Sequence, residues 1–149
     1  MHLVRGLPDV VRAMVAAMIP RCAERGFLPG SYAIGVANER NEIVGGFVYH
    51  DYDPESGVLE ISGASCDKRW LTRETLYGLF AHPSNELNCQ MVAMRHSPED
   101  KALARMLKAY GFKTIIIPRL LGRNHDALLS TLTVEDWRAN GFHRENKNG

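Results

Sequence analysis

The sequence predicts an α/β (α+β) fold, a mixed and mostly antiparallel sheet with helices on both faces. Three observations carry that expectation. Residues 31–65 hold three consecutive strand patterns separated by tight polar turns, the mark of antiparallel hairpins. From Thr72 the apolar period changes from two to about 3.6, and helical and strand patterns then alternate. Finally the chain closes on another hairpin, so antiparallel pairs flank a middle built of helix crossovers. At 149 residues the chain has room for one core without staples. A single domain is expected over residues 1–139, followed by a polar tail, 140–149, that frays.

Taken in order, Pro8 to Arg21 places Val10, Val11, Met14, Val15, Met18 and Ile19 on one helical face, with Pro8 and Asp9 suited to a first turn. Pro20 ends or kinks that helix, and Gly26 stops what remains. Ser31 to Asn38 is a strand, Glu39 to Glu42 a polar turn, and Ile43 to Tyr52 the return strand. Asp53-Pro54-Glu55-Ser56-Gly57 is dense in turn residues and leads to a third strand, Val58 to Ser65. Thr72 is an N-cap for a helix with Thr75, Leu76, Leu79 and Phe80 on its apolar stripe, ending at Pro83. Asn88 to Arg95 is a short apolar strand. Ser97-Pro98-Glu99-Asp100 then opens a helix, with Ser97 as N-cap and Pro98 at the first helical position. Leu103, Met106 and Leu107 give that helix a core face, and Gly111 closes it. Lys113 to Pro118 and His125 to Thr133 are the strands of the closing hairpin, turned by Gly122-Arg123-Asn124. Trp137 and Phe142 anchor the C-terminal end.

Composition narrows the function. With 45% hydrophobic and 23% charged residues the chain is globular rather than disordered. No apolar run approaches the ~20 residues of a spanning helix. Asp9, Arg12 and Arg21 interrupt any signal-peptide core, so a cytoplasmic protein is expected. A formal net charge of +1 writes no general affinity for nucleic acid into the chain. Cys22, Cys66 and Cys89 are odd in number and form no CxxC pair. They read as buried free thiols, and no metal site is expected.

Ala109-Tyr110-Gly111-Phe112 closes a helix and opens a strand hairpin, whose return strand runs to Val134-Glu135-Asp136-Trp137. This order of parts resembles the GNAT N-acetyltransferase superfamily over roughly Ser31 to Trp137. It is most similar to the branch that modifies ribosomal-protein N-termini and to small proteins carried by phages and prophages. The resemblance implies that Val58–Ser65 splays from Cys89–Arg95, a central strand pair that admits the pantetheine arm of acetyl-CoA. It also implies that the helix near Thr72 points its N-terminus at the pyrophosphate. A helix N-terminus suits that task because its first N–H groups lack partners and its dipole end is positive.

The family's phosphate signature maps onto Arg69-Trp70-Leu71-Thr72-Arg73-Glu74. Arg69 fits the first position, while Thr72 and Glu74 stand where small residues are usual. In one reading Thr72 caps the helix and Arg69 and Arg73 supply charge. In the other Glu74 repels the pyrophosphate and the turn is an ordinary helix start. By the resemblance, cofactor contacts fall to Ala64, Cys66, Arg69, Trp70, Leu71, Thr72 and Arg73, and to Asp100, where an Asn often meets pantetheine. Leu107 falls where a tyrosine often protonates the leaving thiolate, and reads as core. Trp70 either stacks at the cleft mouth or packs inward.

Amine acetylation needs a base and a polarised thioester carbonyl. Glu60 stands where relatives place a base, although strand alternation equally allows a solvent-facing carboxylate. His96 and Ser97, at the end of the strand that lines the implied cleft, are further catalytic candidates. In the strand-end cluster His50-Asp51-Tyr52, His50 is a further candidate base or substrate ligand, although a histidine before an Asp-Pro turn more often reads as merely exposed. A backbone N–H near Met94 would polarise the carbonyl. No serine or cysteine shows a neighbouring base, which favours direct attack over a covalent intermediate. The expected function is therefore transfer of acetyl from acetyl-CoA to a primary amine, on a protein N-terminus, a small molecule or a nucleobase. A homodimer is compatible with it. The alternatives are a GNAT-fold binding or assembly module without activity, and a nucleic-acid modifier using Arg95, Lys113, Arg119 and Arg123.

Overall fold

A computed structural model describes residues 1–143; the expected fraying of 144–149 lies outside the described residues. The chain forms β1 (His2–Val4), α1 (Pro8–Met18), β2 (Tyr32–Ala37), β3 (Ile43–Asp53), β4 (Val58–Ser65), α2 (Arg73–Ala81), β5 (Met91–His96), α3 (Lys101–Tyr110), β6 (Lys113–Gly122), β7 (His125–Thr133) and α4 (Val134–Arg138). The seven strands make one sheet in the order β1-β2-β3-β4-β5-β7-β6. Every neighbouring pair is antiparallel except β4 and β5. This is the mixed, mostly antiparallel sheet that the hairpin pattern predicts.

Alternation along the strands divides the core in two. On one face Val11 and Val15 of α1 pack on Ala33 and Val48. On the other, Phe47, Tyr49, Leu59, Ile61, Val92 and Met94 meet Leu76, Leu79 and Phe80 of α2 and Leu107 and Tyr110 of α3. Each large side chain fully buried here contributes about 1.5–3 kcal/mol. Gly46 lets α1 seat closely: a Cβ there would lie 2.6 Å from Val11 Cγ1 and 2.8 Å from the Ile34 carbonyl oxygen.

The caps explain most boundaries. Thr72 Oγ1 accepts from Thr75 N at 3.1 Å while Thr75 Oγ1 accepts from Thr72 N at 2.9 Å, a reciprocal cap. Gly111, at φ 116°, ends α3 in the left-handed region. Thr133 caps α4, which seats Trp137 in the core.

Several expectations need correction. The first residues form β1, an edge strand on β2, too short to show a period. The first helix ends at Met18, and Pro20–Cys22 is a separate 3-10 turn. The second helix passes at Ala81 into a π-type turn, His82–Glu86, that accommodates Pro83. The following strand starts at Met91 rather than Asn88. Ser97 is not an N-cap: Asp100 Oδ1 accepts from Leu103 N at 3.1 Å and the helix begins at Lys101. Ser97 to Asp100 is instead a turn, with Asp100 N donating to Ser97 O at 3.1 Å. Residues 141–143 continue as a 3-10 turn. Cys22 and Cys89 are buried as expected, but Cys66 is exposed.

Candidate active site

The parallel pair β4–β5 is joined through only three register pairs, Val58↔Met91, Leu59↔Val92 and Glu60↔Ala93. Both strands then continue, β4 to Ser65 and β5 to His96, and the space between them opens. β5 stays bound to β7 through His96↔Leu128, and β4 stays bound to β3 through Gly45↔Ser65. Each strand is therefore held on its outer side while the inner sides separate. The resulting cleft has a volume of about 960 Å³, the upper end of the range of small-molecule sites.

The cleft walls are Ile61 to Ser65 of β4, Met94 to His96 of β5, and Ser97 to Asp100 with Leu103 leading into α3. Trp70, Arg21 and the β6–β7 hairpin residues Leu121 and Asn124 to Asp126 complete the lining. Of the residues singled out from sequence, Ala64, Trp70, His96, Ser97 and Asp100 meet in this one cleft. Leu71 faces an adjoining apolar cavity of about 40 Å³ walled by Phe47, Phe80, Met94 and Leu107. Leu107 is buried in the core. Trp70 lines the cleft and packs edge-on against Phe47 of β3 at 5.7 Å.

Cys66 to Thr72 form the turn between β4 and α2. Cys66 N donates to Val44 O at 2.9 Å, continuing the β3 pairing. Arg69 reaches back to Asp67 through 3.2 and 3.1 Å bonds, and that guanidinium holds the Asp67 carboxyl below its usual range. Arg73 lies over the Phe142 ring at 5.2 Å. Thr72 is committed to the cap, while the first-turn amides of α2 have no carbonyl a turn behind them.

Glu60 is neither open to solvent nor free toward the cleft. Its two oxygens accept from Arg95 Nε at 2.6 Å and Arg95 Nη2 at 3.1 Å. His96 is buried, with Nε2 2.7 Å from Ser130 Oγ, and Ser130 Oγ is 2.7 Å from Thr114 Oγ1. Burial lowers the His96 pKa, with Asp100 and the Ser97 backbone opposing. Its Nδ1 is buried with no partner among the described residues. Ser97 Oγ accepts from Glu99 N at 3.2 Å.

From sequence, exposure outweighs a base's role for His50, and neither Ser62 nor Arg21 stands out as a site residue. His50 is not exposed. Its ring packs on Phe27 at 5.4 Å, with Nδ1 2.6 Å from Asp51 Oδ2 and Nε2 2.8 Å from Ser62 Oγ. Arg21 Nη2 donates to the same Ser62 oxygen at 3.4 Å. A serine with a base beside it is therefore present, contrary to expectation. The signal existed: the register His50↔Glu60 and strand alternation place His50, Glu60 and Ser62 on one face. Atoms of His50, Asp51 and Glu60 also lie within 4.8 Å of one another, but each already has a protein partner.

No family model matches the sequence, and no curated protein matches it. Solved structures do. A chimera of the spermidine N-acetyltransferase SpeG from Vibrio cholerae and hSSAT matches with a TM-score of 0.74 at 9% identity, over 94% of this chain and 100% of that one. A GCN5-related N-acetyltransferase from Brucella melitensis matches with a TM-score of 0.62 at 19% identity, over 76% of this chain and 54% of that one. A protein named as an acetyltransferase from T. thermophilus matches with a TM-score of 0.63 at 19% identity, over 77% of this chain and 64% of that one. The chain thus spans less than two thirds of the length of several acetyltransferases it matches, 61% in a further case. Its fold is that of the GNAT acetyltransferases.

Proposed function

We propose that the chain is an acyl-CoA-dependent N-acyltransferase, moving acetyl from acetyl-CoA to a primary amine by direct attack on the thioester. One observation carries this reading: β4 and β5 part and leave a cleft of about 960 Å³, with Trp70, two residues before the Thr72 cap of α2, in its lining. The fit to acetyl-CoA is physical. An extended arm with amide groups suits a slot between two strand edges, where backbone N–H and C=O groups have lost their ladder partner. Its phosphates suit the first turn of α2, with Arg69 and Arg73 close by in sequence. Ala64, Trp70 and Asp100 would line the pantetheine path, and Cys66, Leu71 and Thr72 would shape the turn.

The acceptor is an amine of a protein N-terminus, a small molecule or a nucleobase. The chain would act in the cytoplasm, and no helix among the described residues is long and apolar enough to cross a membrane. A homodimer is compatible with this activity. The second reading is a binding module of the same fold. It is favoured by Glu74 in the first turn of α2 and by Leu107, an apolar core residue at the position where relatives place an acid. A nucleic-acid modifier draws less support, since Arg95 is already neutralised by Glu60.

Calorimetry with acetyl-CoA, followed by acetylation assays on spermidine, a peptide with a free N-terminus and n-butylamine, tests the proposal. Binding with turnover of at least one amine is expected. Binding without turnover would select the module, and no binding at millimolar ligand would remove the acyltransferase reading.

A further inference from the structure

Direct attack requires a place for the amine's proton, and the obvious bases are paired or buried. Both Glu60 oxygens accept from Arg95, and the unpartnered nitrogen of His96 is buried. Ser62 is arranged differently. It sits two residues past the last β4–β5 register pair and, though only 3% exposed, is part of the cleft lining. Its Oγ is 2.8 Å from His50 Nε2, and His50 Nδ1 is 2.6 Å from Asp51 Oδ2.

The contact between His50 and Asp51 is unusual in itself. Successive side chains on a strand point to opposite faces, so neighbours should not meet. Here the β3–β4 register slips between His50 and Asp53, and Asp51 takes φ 53°, a costly conformation for a residue other than glycine. That kink accompanies an Asp51 carboxylate seated on the imidazole. A carboxylate on one ring nitrogen fixes the ring's orientation and favours the tautomer that leaves the other nitrogen as an acceptor. The Ser62 hydroxyl has one proton and two lone pairs. With the proton given to His50 and one lone pair to Arg21 at 3.4 Å, one lone pair remains for a substrate.

We infer that Ser62, His50 and Asp51 are the proton relay of the transfer, with Ser62 and His50 carrying the proton and Asp51 as the positioning residue. The inference rests on the acyltransferase reading above. The neutral amine nitrogen bonds to the thioester carbon and the C–S bond breaks. The amine proton passes to Ser62 Oγ as Ser62's own proton passes to His50 Nε2. The imidazolium returns its proton through the same hydroxyl to the CoA thiolate, so the cycle ends with His50 neutral. No separate acid is then required, consistent with an apolar Leu107 in the core. Glu60, opposite His50 in register, is matched in charge by Arg95, and Arg21 faces Ser62 from the segment after α1.

The test uses the full chain with acetyl-CoA and the fastest amine of the panel above. Ser62→Ala and His50→Gln each lower kcat by about 100-fold, the usual worth of proton transfer, while acetyl-CoA affinity by calorimetry stays within about two-fold of wild type, since neither change removes a group that holds the donor. Gln keeps a hydrogen bond to Ser62 but cannot take up the proton, which separates relay from folding. Free imidazole restores turnover to His50→Ala and not to Ser62→Ala. Independently of activity, the downfield His50 Nδ1–H resonance in proton NMR disappears in Asp51→Ala. The relay is overturned if His50→Gln keeps wild-type kcat while acetyl-CoA still binds. It is equally overturned if intact-mass analysis finds acetyl covalently on Ser62, which would make that oxygen a nucleophile. Absence of acetyl-CoA binding by the wild type would remove the underlying reading, and the relay with it.

Discussion

Arg95 and Glu60 stand on the two strands that part, and they clamp the point of parting with hydrogen bonds of 2.6 and 3.1 Å. The pair is mostly covered, with side-chain exposures of 32% and 12%. Removing one partner leaves the other's charge poorly solvated, and hydrogen bonds to charged groups contribute about 1.5–3 kcal/mol. Glu60→Gln and Arg95→Met should each destabilise by that order in urea unfolding. The double variant should cost less than their sum, because the second change removes a charge already left alone.

His96 gives stability a distinct pH dependence. Burial lowers its pKa from the ordinary 6.5, and His143 is lowered in the same direction by burial and by Arg73. The unfolded chain then binds protons more readily than the folded one just below 6.5. The stability these groups contribute is fully present above that value and is lost as pH falls toward the folded pKa. Thermal unfolding should therefore soften between pH 7 and 5, and His96→Asn should flatten the slope. Glu86, lowered from 4.5 by Arg5 and His82, gives a separate loss only below its unfolded value.

Thr72→Ala should cost about 1 kcal/mol, the usual worth of an N-cap. It deletes the acceptor for Thr75 N, although Thr75 Oγ1 keeps its 2.7 Å bond to Trp70 O. If the same turn holds phosphates, Arg73→Ala should weaken acetyl-CoA binding by about ten-fold, the order expected for one charged hydrogen bond. S-acetylpantetheine, which lacks those phosphates, should bind unchanged.

Thiol labelling should find one fast cysteine in the native protein. Cys66 is exposed whereas Cys22 and Cys89 are 6% and 2% exposed, and burial pushes the Cys89 thiol up. Reaction with an aromatic disulfide reagent should show one rapid equivalent, abolished in Cys66→Ser. Because Cys66 begins the turn toward α2, acetyl-CoA should slow it.

Gly46→Ala should destabilise by about 1–3 kcal/mol through overpacking. The new methyl would press on the Ile34 carbonyl as well as on Val11, and a backbone oxygen in a ladder cannot swing aside.

Much of this architecture was legible because local signals agreed with the global fold. The hairpin turns, the Thr72 cap and Gly111 each announce themselves within a few residues. Ser97-Pro98 misled for a physical reason: serine and Asp100 both compete for caps, and the acidic side chain three residues on won. β1 was invisible because three residues carry no period. The site was harder. Ala64, Trp70, His96, Ser97 and Asp100 followed from a resemblance that locates the cleft, whereas Ser62 with His50 depends on a cross-strand register and a kink at Asp51. Neither leaves a motif, since the partners lie twelve residues apart and one sits in a conformation that its residue type does not advertise.

The short β4–β5 ladder has a mechanical consequence. Among the described residues, three register pairs are the strand ladder that joins a left wing, β1 to β4, to a right wing, β5 to β7. Beyond Glu60 and Ala93 the inner edges of β4 and β5 share no rung. Beneath that open stretch, Phe80 of α2 lies 5.1 Å from Tyr110 of α3. What holds the slot past the last rung is thus the Arg95–Glu60 pair at the point of parting together with a tilted aromatic contact under its floor.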